Sequence, residues 1–170
     1  MQNLQWTGER VVPDKMDAEN ITLKEHLARY EFIRKADLGK RILDAACGSG
    51  YGTKMIGASG LDVSAEAVEY AKEKYGIEAE VRDLEQGLNG KFYDTIVSFE
   101  TIEHLENPDN FLKDAALATN KFIFSIPLNN PSKFHKKVYT LEQAQNLIYK
   151  HFSKVYWYEQ NGLEISELHS

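Results

Sequence analysis

The densest chemical signal is the run Ile42-Leu43-Asp44-Ala45-Ala46-Cys47-Gly48-Ser49-Gly50-Tyr51-Gly52, where an apolar segment opens into a glycine-rich turn. Small residues at a strand end let a ligand lie against bare backbone. A second signal follows at Gly60-Leu61-Asp62-Val63-Ser64, a short apolar run ending in a carboxylate. The two oxygens of one carboxylate match the two adjacent hydroxyls of a ribose. One glycine-rich strand end beside one acidic strand end points to a nucleoside-bearing cofactor laid across the edge of an α/β sheet. Further along, His104 and His135 are side chains that exchange a proton near neutral pH, which suits a base acting on a hydroxyl or amine.

These residues need a scaffold, and the hydrophobic pattern supplies one. Thr22 with Glu25 has capping-box spacing, and Leu23, Leu27, Tyr30 and Ile33 follow at helical intervals, giving a helix over about 22–37 closed by Gly39. Apolar runs over 41–46, 59–63, 77–81, 93–99 and 121–126 read as strands. Between them lie a short helix at 51–58, a helix from Ser64 to Tyr75 stopped by Gly76, and a helix opened by Pro108. Thr140 with Gln143 opens another helix, to about His151. Residues 155–158 and the stretch after Gly162 read as a terminal hairpin. Strands alternating with helices, then a hairpin, imply a mostly parallel sheet with an antiparallel strand added.

Composition narrows the function. A chain of 170 residues with 42% hydrophobic and 27% charged residues fits one domain, here 1–170, with 1–38 as a leading segment and helix and 40–170 as the core. Net charge is −6 and neither end carries a basic run, which argues against a general nucleic-acid binder. Cys47 is the only cysteine, so an internal disulfide and a cysteine-cluster metal site are both excluded. No His/Asp pair has ligand spacing on an evident helix, and no metal is expected. The start lacks the pattern of a secretion signal and no window has the length of a membrane span, so a cytoplasmic protein without membrane attachment is expected.

In order and spacing, these segments resemble the class I S-adenosylmethionine-dependent methyltransferases along nearly the whole chain. Asp44-Ala45-Ala46-Cys47-Gly48-Ser49-Gly50 is similar to that family's first motif, Leu61-Asp62-Val63-Ser64 to its second, and Arg82-Asp83-Leu84 to the acidic position after strand three. Phe99-Glu100-Thr101-Ile102-Glu103-His104-Leu105 resembles the segment after strand four in small-molecule enzymes of the ubiquinone-biosynthesis type. The leader Trp6-Thr7-Gly8-Glu9-Arg10, with His26-Leu27, Arg29-Tyr30, Ile126-Pro127 and Phe134-His135, resembles a bacterial and phage subgroup whose genes often sit near those for surface sugars. The resemblance implies a Rossmann-like three-layer sandwich with a seven-stranded sheet of order 3-2-1-4-5-7-6. It departs from the family between Gly52 and Asp62, where the chain is several residues short and the first helix must be clipped.

The resemblance also implies roles. Gly48 and Gly50, with Ala46, Cys47 and Tyr51 around them, would pass under the methionine part of S-adenosylmethionine, and Asp44 would receive its ammonium. Asp62 would accept the ribose hydroxyls, Asp83 the adenine amino group and the Leu84 amide a ring nitrogen, with Val63 and Leu84 flanking the ring. Glu100 would hold the methionine end or orient the acceptor, and His104 or His135 would be the base. Glu9, Arg10, His26, Arg29 and Tyr30 would form a lid, with Arg10 or Arg29 pairing with a carboxylate. The expected reaction is methyl transfer to oxygen or nitrogen of a small molecule, such as a sugar or glycan precursor, with S-adenosylhomocysteine as product. A catalytically inactive cofactor-binding partner subunit and a nucleic-acid methyltransferase stay open beside it, as does a homodimer. A dinucleotide oxidoreductase would want a different glycine pattern at the helix start.

Overall fold

Five short parallel strands form one sheet in the computed structural model, which describes residue 4, residues 10–88 and residues 90–168. They are β1 (Ile42–Ala45), β2 (Ser59–Asp62), β3 (Ala79–Val81), β4 (Thr95–Ser98) and β5 (Phe122–Phe124), and their order is β3-β2-β1-β4-β5. The helices are α1 (Ile21–Ile33), α2 (Tyr51–Ile56), α3 (Ala65–Tyr75), α4 (Pro108–Ala118) and α5 (Leu141–Tyr149). The parallel order is the expected one. It reverses between β1 and β4, which opens a crevice at the carboxyl ends of those two strands.

Period two along β1 explains how the sheet is covered on both faces. Leu43 and Ala45 join Leu61, Ile96, Phe111 and Ala115 on one face. Ile42 joins Val97, Tyr30, Ile33 and Ile56 on the other. All four β1 residues are buried, as a central parallel strand requires. The leading segment docks on α3: Leu4 and Val12 pack against Ala67 and Tyr70. Trp6 and Glu9 of the leader lie outside the described residues.

Helix ends follow local chemistry, with one change. Asn20, not Thr22, caps α1, its side chain accepting from the Leu23 amide at 3.1 Å, and the helix stops at Ile33. Ser64 caps α3, and Thr140 with Gln143 forms a complete capping box on α5. The clipped helix is present: α2 has 6 residues and is bounded by left-handed Gly50 and Gly57.

The expected seven-stranded sheet is corrected. The antiparallel hairpin exists as β6 (Tyr158–Asn161) and β7 (Glu164–Glu167), but its strands pair with each other in a separate two-stranded sheet. The chain after α5 meets β5 through side chains instead of a ladder: the Phe152 ring stacks on Phe122 at 5.2 Å and Trp157 meets Phe124 edge-on at 5.7 Å. The hairpin carries exposed Glu159, Asn161, Glu164 and Glu167 beside exposed Tyr158 and Leu163. It docks on α1, where Tyr158 meets Phe32 at 5.4 Å and Gln160 bonds Arg29.

Phe111 of α4 is fully buried and meets Phe122 edge-on. Phe111→Ala should lower unfolding free energy by about 3–5 kcal/mol through lost burial and a residual cavity. Urea denaturation followed by circular dichroism reads this directly, and a loss below about 1 kcal/mol would mean that α4 packs loosely.

Candidate active site

β1 delivers Asp44 to the face covered by α1 and α2, and the glycine turn follows it. The Asp44 carboxylate has no solvent exposure and is held by two hydroxyls: Thr53 Oγ1 donates to Oδ2 at 2.7 Å and the Tyr30 hydroxyl donates at 3.1 Å. Burial raises its pKa from 3.8 to about 7 and the Asp62 charge adds to the rise, while the two hydroxyl bonds oppose it. Tyr30 in turn lies against the backbone of α2. A Cβ at Gly52 would stand 2.0 Å from its ring, so only glycine fits there. Tyr30 also meets Tyr51 and Phe99 edge-on, at 5.6 and 5.0 Å.

The turn itself is held from β2. Asp62 Oδ2 accepts from the Gly48 amide at 2.8 Å and Oδ1 from the Ser64 amide at 2.9 Å. One carboxylate thus fixes the glycine turn and the start of α3 together. Each oxygen keeps a second lone pair for a ligand hydroxyl. Ala46, Gly48 and Gly50 all have positive φ, of 67°, 54° and 85°. For Ala46 that conformation is strained, and strain of this kind collects where backbone is shaped for a ligand. Ser49 anchors the turn to the leading segment by donating to the Val11 carbonyl at 2.7 Å. Cys47 is buried, and burial followed by the Asp44 and Asp62 charges raises its thiol pKa well above the usual range, so it packs as a small apolar group.

At the far end of the crevice, Val63 is 69% exposed, an apolar face offered to solvent beside Asp62. Asp83 is also exposed and its Oδ1 accepts from the Glu85 amide, capping a 3-10 turn at Leu84–Gln86. The Leu84 side chain points into the core with Leu43 and Phe111, leaving only its backbone at the turn. Of the two residues expected to flank an adenine, Val63 alone presents its side chain.

On the other side, Glu100 follows β4 by two residues and has a left-handed φ of 49°. Ser125, at the end of β5, explains how this is held: it accepts from the Glu100 amide at 2.9 Å and donates to Glu100 Oε1 at 2.6 Å. Arg29 Nη2 stands 3.8 Å from the same oxygen, and Gln160 Oε1 of β6 accepts from Arg29 Nε at 2.7 Å. Arg29 Nη1 is buried without a hydrogen-bond partner among the described residues. An orphaned guanidinium nitrogen beside the crevice is suited to an incoming carboxylate. His26 bonds the Tyr51 hydroxyl at 3.1 Å, and burial followed by the Arg29 charge lowers its pKa to about 3, so it is neutral. Burial and Asp44 raise the Tyr51 hydroxyl above its ordinary value.

The structure therefore brings Asp44, Ala46, Cys47, Gly48, Gly50, Tyr51, Asp62, Glu100, His26, Arg29 and Tyr30 around one crevice. Arg10 sits beside Val11 at the entrance to the turn and is half-buried. His104 and His135 meet edge-on at 5.0 Å on the segments after β4 and β5. Sequence reasoning missed Thr53, Ser125 and Gln160. Ser125, a lone polar residue closing an apolar strand, was the findable one. A separate cavity of about 840 Å³ opens at the amino ends of β1, β2 and β3, lined by Arg41, Gly57, Ser59, Glu78 and Phe92 and by none of the site residues.

Comparison with known proteins gives a consistent result. A family model described as a methyltransferase domain matches residues 17–166. A probable S-adenosylmethionine-dependent methyltransferase of Mycobacterium tuberculosis is 27% identical over 161 residues, covering 84% of this chain and 58% of its own length. The ubiquinone biosynthesis O-methyltransferase of Pelagibacter ubique is 30% identical over 126 residues, covering 65% of this chain and 52% of its own. The chain thus spans little more than half the length of these relatives. Magnesium protoporphyrin IX methyltransferase of Synechocystis PCC 6803, solved with bound S-adenosylhomocysteine, shares the fold at a TM-score of 0.67 and 14% identity, over 90% of this chain and 87% of that one.

The buried Asp44 makes a pH test possible. An unfolded chain ionises this carboxyl near its ordinary 3.8, whereas the folded chain keeps the proton up to about 7. Folding therefore holds an extra proton between those values, and Asp44's contribution to stability is lost as pH rises through that window. His26, depressed to about 3, acts in the opposite sense between its folded and ordinary values. Asp44→Asn removes only the first effect. The variant's unfolding free energy relative to the parent should rise from about pH 4 to about pH 7 and be flat above. A pH-independent difference in urea denaturation would show that Asp44 is ionised throughout.

Proposed function

The chain belongs to the methyltransferase domain family, and from that premise we propose that it transfers a methyl group from S-adenosylmethionine to oxygen or nitrogen of a small molecule. The observation that carries this reading is the Asp62 carboxylate, which binds the glycine turn and the α3 start at once and faces the crevice where the sheet order reverses. Its remaining lone pairs receive the ribose hydroxyls. Val63 covers one face of the adenine, with Asp83 and the Leu84 backbone at its edge. The methionine end lies over Gly48 and Gly50. Its carboxylate goes to the orphaned Arg29 Nη1, and its ammonium to Glu100 and the carbonyls of the turn. Asp44, wholly buried beneath Tyr30 and Thr53, acts by shaping the turn.

Little covalent assistance is then needed. The sulfonium is already an activated leaving group, so the protein aligns acceptor, methyl carbon and sulfur and keeps the acceptor unprotonated. Glu100, His104 and His135 line the acceptor side, at the ends of β4 and β5. Among acceptors we favour a sugar or glycan precursor, because Lys133 and Lys137 beside His135 suit an anionic group. The Trp6-Thr7-Gly8-Glu9-Arg10 leader and the segment after β4 support the ubiquinone-biosynthesis-like subgroup with such a leader. A net charge of −6 speaks against a nucleic-acid acceptor.

Calorimetry with S-adenosylhomocysteine tests the reading. The protein should bind one equivalent, and Asp62→Ala should weaken binding by about 10–100-fold, the worth of charge-assisted hydrogen bonds to the ribose together with loss of the clamped turn. Absence of binding, or an unchanged affinity in Asp62→Ala, would overturn it.

A further inference from the structure

We propose that Gln160 of the hairpin is a positioning residue for the methyl donor. By holding the Arg29 guanidinium, it makes the site favour nucleosides that carry an amino-acid tail over those that lack one. The role rests on the methyltransferase reading above, in which Arg29 receives the methionine carboxylate. The Arg29 side chain is 13% exposed, beside the crevice. Among the described residues, Gln160 makes the sole hydrogen bond to its guanidinium, Oε1 accepting from Nε at 2.7 Å. Glu100 Oε1 lies 3.8 Å from Nη2, too far for a hydrogen bond, and already accepts from Ser125 at 2.6 Å. Nη1 is left buried and unsatisfied among those residues.

The hairpin meets α1 with one face of each element. Tyr158 and Gln160 stand two apart on β6 and so point the same way, while Glu25, Arg29 and Phe32 lie along one stripe of α1. Phe32 meets the Tyr158 ring at 5.4 Å, and Gln160 takes the other two. Gln160 is the one β6 residue that is not exposed. Its Nε2 donates to the Glu25 carbonyl at 3.1 Å and to the Gly162 carbonyl at 2.8 Å, while Oε1 serves Arg29. A guanidinium offers no acceptor and a carbonyl no donor, so an amide placed this way round satisfies all three. A glutamate would set a carboxylate oxygen against two carbonyls, and an apolar side chain would offer nothing to the Arg29 Nε–H.

An arginine side chain left free to rotate has to be ordered when its ligand arrives, which costs affinity. The guanidinium is rigid and planar, so a bond at Nε fixes the directions of both Nη groups. Gln160 orders the fork beforehand and holds Nη1 ready for a carboxylate oxygen. A residue 131 positions along the chain from Arg29 therefore acts on the carboxylate end of the ligand, and not on the ribose and adenine beside Asp62 and Val63. The rival role is docking alone, in which Gln160 fastens the hairpin to α1 and every ligand is affected alike.

Calorimetry on the full chain with S-adenosylhomocysteine and with 5′-methylthioadenosine, a nucleoside thioether that lacks the amino-acid tail, separates the two roles. Gln160→Leu should weaken S-adenosylhomocysteine binding by about 5–10-fold and leave 5′-methylthioadenosine within about twofold. Gln160→Asn holds the amide one methylene short and should show the same selective loss, so it decides if Gln160→Leu fails to fold. On an Arg29→Met background, adding Gln160→Leu should change S-adenosylhomocysteine affinity by less than about twofold, because the group it acts through is gone. An equal loss on both ligands, no loss on either, or full additivity with Arg29→Met would overturn the role of Gln160 while leaving the methyl-donor reading in place. A parent chain that bound neither ligand would reject that reading and the role of Gln160 with it.

Discussion

The buried Asp44 carboxylate is the constraint around which the crevice is organised. A charge or proton with no solvent must be satisfied from within, and here the donors come from two other elements, Tyr30 on α1 and Thr53 on α2. That single requirement brings α1 onto the sheet, seats the Tyr30 ring on Gly52 and so sets the height of α2 above β1. Around the short α2, the Tyr30 ring meets Tyr51 and Phe99 edge-on.

Asp44 fixes what lies under the glycine turn, and Asp62 fixes the turn itself. The two acids differ in exposure and hence in use. Asp44 spends its hydrogen-bonding capacity inside the fold with no solvent exposure, whereas Asp62, 8% exposed, takes one backbone amide on each oxygen and keeps lone pairs towards the crevice. Positive φ at Ala46 and Glu100 marks the two strand ends that bracket the crevice. Conformations of this kind cost about 1–3 kcal/mol each and persist only where surrounding bonds enforce them, as Ser125 does at Glu100.

The β4 side of the crevice is assembled differently. Glu100 and Glu103 come from one short segment, His135 from a loop more than thirty residues on, and Arg29 from α1 steadied by the hairpin. The hairpin thus serves the crevice although it never joins the main sheet. Its Gln160 reaches both the Arg29 guanidinium and the Glu25 carbonyl, tying the last strands of the chain to its first helix.

Local patterns of apolar period, backbone freedom and side-chain hydrogen bonding made the alternating elements, the glycine turn, the acid closing β2, the caps at Ser64 and Thr140 and the Pro108 start of α4 legible from the residues alone. It also placed His104 after β4 and His135 after β5. Tertiary structure alone decided that Asp44 is sealed by Tyr30 and Thr53, that Leu84 turns into the core, that Asn20 caps α1 and that the hairpin stands apart from the sheet. It alone brought His135 beside Glu103 and His104, a convergence that no sequence spacing reports. The physical reason is common to all of these: satisfying a buried polar group or a bulky ring depends on partners distant in sequence, and their nearness is set only when the layers pack.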